Sequence, residues 1–222
     1  MTKKPVYLRS DVLKIGLSSE GIFSYVALSL MQNKADVIYL TPQIMWLTMC
    51  GADVPLTRDL KEKVVAGLME LNEYRIISIK TIGANLYEIN TSKLSFDTDH
   101  IFYEYIYAEE IRKMCRCQGK INKFELVKYF LVILSSFENK IKIMVNGCEK
   151  KRVATCHPLN LYQKLTGLSR PTILKYNAIL EETQVLFVLS SPTTHTMNYY
   201  CRYENKDALL DYLKTNNLLN ND

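Results

Sequence analysis

Apolar residues recur at helical spacing in two long stretches of this chain, and each stretch is followed by two short β-like runs. In the first, Ile22, Val26 and Leu30 share one face of a segment that Ser18 or Ser19 caps and that runs to about Asn33. Val37–Leu40 reads as a short strand. Thr41-Pro42 places a cap residue before a proline at the first helical position, which predicts a helix to about Cys50-Gly51. Leu60, Val64, Leu68 and Leu71 lie on one face of a further helix from Thr57 to about Asn72. Residues 75–80 and 85–90, joined at Gly83, then predict a hairpin.

The second stretch repeats this order. Asn122 caps a helix to about Phe137, rich in Phe124, Val127, Phe130, Leu131 and Leu134. A short strand and loop around Asn146-Gly147 follow. His157-Pro158 matches the Thr41-Pro42 helix start. Gly167 marks a tight turn, and Ser169 caps the next helix, with Ile173, Tyr176 and Leu180 as its inward stripe. Residues 185–189 and 196–202 predict a second hairpin with 190–195 as its tip. A last helix spans Asn205 to about Asn217, with Leu209, Leu210 and Leu213 for packing. Asn33-Lys34 aligns with Asn139-Lys140, Leu71 with Leu180, Ile76 with Val185, and Pro42 with Pro158 after a longer loop.

Helix, tight turn, capped helix and hairpin make the outline of a winged helix-turn-helix. The expected fold is therefore α+β, mainly α, with two tandem winged helix-turn-helix units, a helical connector and a C-terminal helix. The expected domains are 1–92, a connector over 93–120, and 121–222. Phe102, Tyr103, Tyr105 and Tyr107 make the connector a packed link.

Composition narrows the class. A hydrophobic share of 48% over 222 residues supports real cores and argues against disorder. No apolar run has the length of a membrane span, and Met1-Thr-Lys-Lys-Pro5 leads into no signal-peptide core, so no membrane is expected and the compartment is the cytosol. The six cysteines are then free thiols. Cys115-Arg-Cys117, Cys148 and Cys156-His157 lack the cysteine-pair spacing of zinc sites. The three histidines fall in no motif for nucleophilic catalysis, and no phosphate-binding glycine loop occurs. No enzyme activity, catalytic residue, metal or cofactor is expected.

Charge adds direction. The net charge is only +5, but residues 111–180 hold 14 Lys/Arg against Glu125, Glu138 and Glu149, a local net of +11 that leaves −6 for the rest. A polyanion partner fits this bias. A recognition helix places its N-terminal half in the major groove while the preceding helix crosses the backbone. Arg170, Thr172 and Lys175 suit groove or phosphate contacts, and Leu174 and Ala178 suit thymine methyls. Ser169, besides capping, meets a phosphate at the helix N-terminus. Asn160, Gln163 and Lys164 suit backbone contacts, and Thr194 and His195, beside Thr193, reach from the wing tip. In the first unit Arg58 and Lys61 are the candidates, opposed by Asp59, Glu62 and Glu70. Asn177 is out of place beside an inward apolar stripe, and a hydrogen bond to the wing would explain it.

The run Leu165-Thr-Gly-Leu-Ser-Arg-Pro-Thr-Ile-Leu-Lys-Tyr-Asn-Ala-Ile-Leu-Glu-Glu182, with Val185-Leu-Phe-Val188 after it, resembles the winged helix-turn-helix of DNA-binding proteins from plasmids, phages and conjugative elements of Gram-positive bacteria. The match covers about forty residues. The tandem arrangement is also similar to plasmid replication initiators. The resemblance implies sequence-specific binding of double-stranded DNA, as a replication initiator or transcriptional regulator, with Arg170, Thr172 and Lys175 as contacts. It also leaves room for a homodimer or for a replication or transcription protein as partner. The alternative is a winged-helix interaction module, an inhibitor or adaptor, that presents its basic face to an acidic protein.

Overall fold

The computed structural model describes residues 4–9, 11–32, 36–94, 103–117, 119–191 and 197–219. They form an α+β structure of short helices and small antiparallel sheets, in two compact units, Met1–Lys128 and Tyr129–Asp222.

The first unit contains β1 (Val6–Arg9), α1 (Ser19–Met31), β2 (Val37–Leu40), α2 (Pro42–Cys50), α3 (Arg58–Glu73), β3 (Ser78–Gly83), β4 (Leu86–Asn90), β5 (Tyr103–Ile106), α4 (Ala108–Arg116) and the first turns of α5 (Lys123–Ser135). Hydroxyl caps start three of the helices. Ser18 accepts the Gly21 N–H at 3.0 Å, Thr41 that of Ile44 at 3.3 Å and Thr57 that of Leu60 at 3.4 Å. Phe23, Trp46 and Phe124 pack ring against ring at 4.7–6.1 Å in the core. The strand order is β2-β4-β3, with Ile89 paired to Ile38 on one side and Ile79 on the other.

Two features of this unit escape the apolar pattern. β1 pairs antiparallel with β5, Val6 opposite Ile106, and α4 buries Ile111, Met114 and Cys115 while Arg112 donates to the Thr48 carbonyl of α2 at 3.3 Å. Residues 103–116, read from sequence as connector, therefore pack inside this unit. Phe102 and the Tyr103 side chain lie outside what is described.

The second unit continues α5 and adds β6 (Ile143–Val145), β7 (Cys148–Lys150), β8 (Ala154–Pro158), α6 (Leu159–Thr166), α7 (Arg170–Glu182), β9 (Leu186–Ser190), β10 (Met197–Arg202), a 3-10 turn at Tyr203–Asn205 and α8 (Lys206–Thr215). The order β8-β10-β9 makes β10 central, with Tyr200 opposite both Thr155 and Val188. Side chains alternate across a strand. Tyr199 and Cys201 accordingly join Phe187, Ala154, Ile141 and Ile143 under α8, through Leu209 and Leu213. Tyr200 meets Tyr129, Tyr162 and Asn177 of the helices instead.

Both units thus run strand, helix, helix, hairpin, and both place the hairpin's second strand between its partner and the strand before the helices. The end of the second helix repeats to the hydrogen bond. Ile76 N–H bonds Leu71 C=O at 3.0 Å and Arg75 N–H bonds Asn72 C=O at 3.0 Å; Val185 N–H bonds Leu180 C=O at 2.9 Å and Gln184 N–H bonds Glu181 C=O at 2.9 Å. Arg75 (φ 56) and Gln184 (φ 54) occupy the left-handed position that closes such a helix end.

That closure explains why β3 begins at Ser78 and β9 at Leu186, later than the β-like runs suggest: residues 75–77 and 184–185 terminate the helices. The β3–β4 turn also sits past Gly83, with Asn85 (φ 64) taking the left-handed position. Pro158 departs from Pro42 too. Pro42 is the first residue of α2 under the Thr41 cap, whereas Pro158 still belongs to β8, pairs with Met197 and precedes α6 without a side-chain cap. His157 is held in the strand by its pairing with Asn198 and by a 2.9 Å contact to Glu138, so the helix starts one residue later.

Candidate nucleic-acid interface

The second unit presents α6 and α7 across a turn of three residues. Gly167 (φ 74) closes α6 by donating to the Gln163 carbonyl at 2.8 Å, a left-handed position where glycine carries no steric cost. Ser169 then caps α7, accepting from Thr172 N–H at 3.3 Å while its hydroxyl meets that of Thr172 at 2.8 Å. Ile173, Tyr176, Ile179 and Leu180 anchor α7 inward. On the outer side Ser169, Arg170, Lys175 and Ala178 are exposed, Leu174 is 49% exposed, and Thr172 is half-buried.

The predicted residues divide between two faces. Arg170, Leu174 and Ala178, spaced by four along α7, line a cavity of about 450 Å³ with Asn160 and Gln163 of α6. The opposite wall is Val188, Ser190 and Asn198 of the hairpin, and Asn177 and Glu181 line it from α7. Thr172, Lys175 and Lys164 lie outside this groove. Thr194 and His195 lie outside the described residues. In the first unit Arg58 extends into solvent with a 3.0 Å pair to Glu62, and Lys61 is half-buried on the same helix.

Asn177 is the part of the site that apolar spacing flagged without explaining. It is 6% exposed. Its carbonyl oxygen accepts the Tyr129 hydroxyl at 2.6 Å, and its amide donates to the Tyr200 hydroxyl at 3.2 Å. Asn198 donates to the same Tyr200 oxygen at 3.3 Å. Burial raises the Tyr129 phenol well above its ordinary range and raises that of Tyr200 too, so both stay protonated and able to donate. The network ties α5, α7 and the hairpin's central strand together. Asn198 and Glu181 have no signal in the sequence, since only the register of β10 and the closure of α7 bring them to the groove.

The basic segment resolves into three parts. Arg112, Lys113, Arg116, Lys120, Lys123 and Lys128 belong to the first unit. Lys140, Lys142, Lys150, Lys151 and Arg152 surround the β6–β7 hairpin, whose Ile141 and Ile143 pack under α8 on the far face of the sheet. Lys164, Arg170 and Lys175 alone stand on α6 and α7. Among the described residues no group of three or more His, Cys, Asp or Glu is placed to hold a metal ion, and no helix is long and apolar enough to cross a membrane. Comparison with protein-family models, curated proteins and solved structures gives no match to this chain.

Proposed function

We propose that this chain is a non-enzymatic, sequence-specific double-stranded DNA-binding protein built from two winged helix-turn-helix units, with α7 of the second unit as its principal reading element. One observation carries the reading. α7 follows α6 across a tight turn, is anchored by a continuous inward row, and leaves Arg170, Leu174, Lys175 and Ala178 exposed along its outer side. A B-DNA major groove, about 12 Å wide, admits such a helix. In that pose Arg170 meets a guanine edge or a phosphate, Lys175 a phosphate, and Leu174 and Ala178 the thymine methyls. Ser169 with the N-terminus of α7 binds a phosphate, and Asn160, Gln163 and Lys164 follow the backbone.

The protein acts in this reading in the cytoplasm, as a replication initiator or transcriptional regulator of a mobile element. Selection of bound duplexes followed by footprinting tests it and separates the two roles. Tandem repeats bound by a monomer mark an initiator, and a palindrome bound by a dimer marks a regulator. Failure to enrich any duplex near physiological salt removes the reading.

A second reading rests on the apolar exposure of α6 and α7. Leu165 is 54% and Leu174 49% exposed. That favours an inhibitor or adaptor whose acidic protein partner covers α6 and α7. DNA binding weakens steeply with added salt in proportion to the phosphates contacted, whereas a contact centred on the two leucines does not.

A further inference from the structure

A second, smaller cavity of about 300 Å³ lies in the first unit, where α3 ends against the β3–β4 hairpin. Asn72, Arg75, Ser78, Asn90, Ser92 and Lys93 line it together with Ile77, and among the described residues no carboxylate does. Its two asparagines are oriented by the backbone. Asn72 Oδ1 accepts the Ile79 N–H at 3.1 Å, and Asn90 Oδ1 accepts the Ser92 N–H at 2.9 Å. An amide has one oxygen and one NH₂, so fixing each oxygen on a backbone donor leaves the NH₂ as the group available to the cavity.

The backbone that carries the two cations is fixed as well. Arg75 sits at the left-handed closure of α3. Lys93 lies in a turn closed by Leu94 N–H on Thr91 C=O at 2.9 Å, and the Arg9 guanidinium holds the Lys93 carbonyl at 3.2 Å. Two cations, two amide donors and two serines line the cavity, with no acid among the described residues beside them. This is the donor set of an oxyanion site, since charge-assisted hydrogen bonds to such groups are about twice as strong as neutral ones. The corresponding helix end of the second unit lacks it: Glu181 stands where Asn72 does and Gln184 where Arg75 does.

We infer that this cavity binds a phosphoryl group, held by Arg75 and Lys93 with the amides of Asn72 and Asn90. The chemistry of the pocket is independent of the function proposed above. Only the assignment of the phosphoryl group to a DNA backbone rests on that reading, and it would move the first unit's contact from Arg58 and Lys61 to Arg75 and Lys93.

The test follows the side-chain amide signals of Asn72 and Asn90 by NMR in the full chain, titrated separately with inorganic phosphate, with sodium chloride at matched ionic strength, and with the selected duplex. Phosphate is expected to shift both amides saturably and chloride is not. Arg75→Asn keeps a residue that tolerates the left-handed backbone while removing the cation. This variant and Lys93→Gln are each expected to weaken phosphate about tenfold, the equivalent of one charge-assisted hydrogen bond. Shifts with the duplex, together with a fall of about one in its salt slope for each variant, assign the group to DNA. Shifts with phosphate in a protein that binds no duplex assign it to a free phosphate and leave the pocket standing while the DNA reading fails. No saturable shift with phosphate or duplex, or shifts unchanged in both variants, overturns the inference.

Discussion

Asn177 accepts a 2.6 Å hydrogen bond from the Tyr129 hydroxyl at a position where an apolar residue would complete the inward row of α7. The amide is retained inside the unit because the phenols of Tyr129 and Tyr200 are themselves buried and need partners. Asn177→Leu therefore removes an acceptor and a donor together and leaves both hydroxyls short of a bond. The expected loss is about 2–4 kcal/mol, read from the urea unfolding midpoint. Combining it with Tyr129→Phe and Tyr200→Phe should recover part of that loss, because it removes both stranded hydroxyls, although the Asn198 amide then loses its Tyr200 acceptor. A triple variant as unstable as Asn177→Leu alone would show that packing, and not the network, sets the cost.

The same burial predicts a sharp alkaline limit. Desolvation raises the phenols of Tyr25, Tyr129, Tyr162 and Tyr200 above the ordinary value of 10, and pushes the Cys201 thiol up to about 12 from 9. Above pH 9–10 the unfolded chain loses these protons and the folded chain keeps them, so the unfolded state binds fewer protons and stability falls as pH rises. The contribution is fully present below pH 9 and is lost through the folded-state values. Each buried phenol adds a slope of about 1.4 kcal/mol per pH unit above pH 10. Urea midpoints between pH 8 and 11 read this directly, and Tyr162→Phe should make the decline shallower. A flat profile would mean that the phenols ionise in place.

Gly67 lies at a close crossing of α1 and α3. A Cβ there would overlap the Glu20 carbonyl of α1 and stand 2.6 Å from Ser24 Oγ, so α1 and α3 would have to separate. Gly67→Ala is expected to destabilise by about 1–3 kcal/mol despite the better helix propensity of alanine. At Gly21 the obstruction is the Glu70 carboxylate, the end of a long side chain that also accepts Ser18 N–H at 2.7 Å. Gly21→Ala should cost less, by displacing that carboxylate. Thermal midpoints of the two variants decide the order, and equal losses would contradict it.

The repeated unit was legible because its signals are local. Thr41-Pro42, Thr57, Asn122 and Ser169 start helices by their own side chains, and Val64, Leu68 and Leu71 report one buried face whatever they pack on. The pairing of β1 with β5 was not, since four residues near the N-terminus meet partners almost a hundred positions away and nothing local encodes that register. At the candidate site, helical spacing placed Arg170, Leu174 and Ala178 together. The groove they share with Asn198 depends on which face of β10 turns inward, and a one-residue slip would reverse it. The charge bias misled in a similar way: +11 over residues 111–180 is contiguous in sequence yet divides among two units and two faces of one sheet.

That division makes the α7 prediction specific. With the β6–β7 cations on the far face, binding through α7 rests on few charges, and each should count. Arg170→Ala and Lys175→Ala are expected to weaken duplex binding by about 1–3 kcal/mol apiece, and each to lower the salt slope by about one if it meets a phosphate. Both side chains are exposed, so stability should change by no more than about 0.5 kcal/mol. Arg58→Ala serves as the comparison. Its side chain is 91% exposed and pairs with Glu62 four residues on, and its loss should leave affinity for the selected duplex nearly unchanged. Binding isotherms at two salt concentrations measure all three. A loss at Arg58 equal to that at Arg170 would show that the first unit reads DNA as strongly as the second, and neutral Lys150→Ala and Lys151→Ala variants would complete the case that the far-face cations stay clear of the duplex.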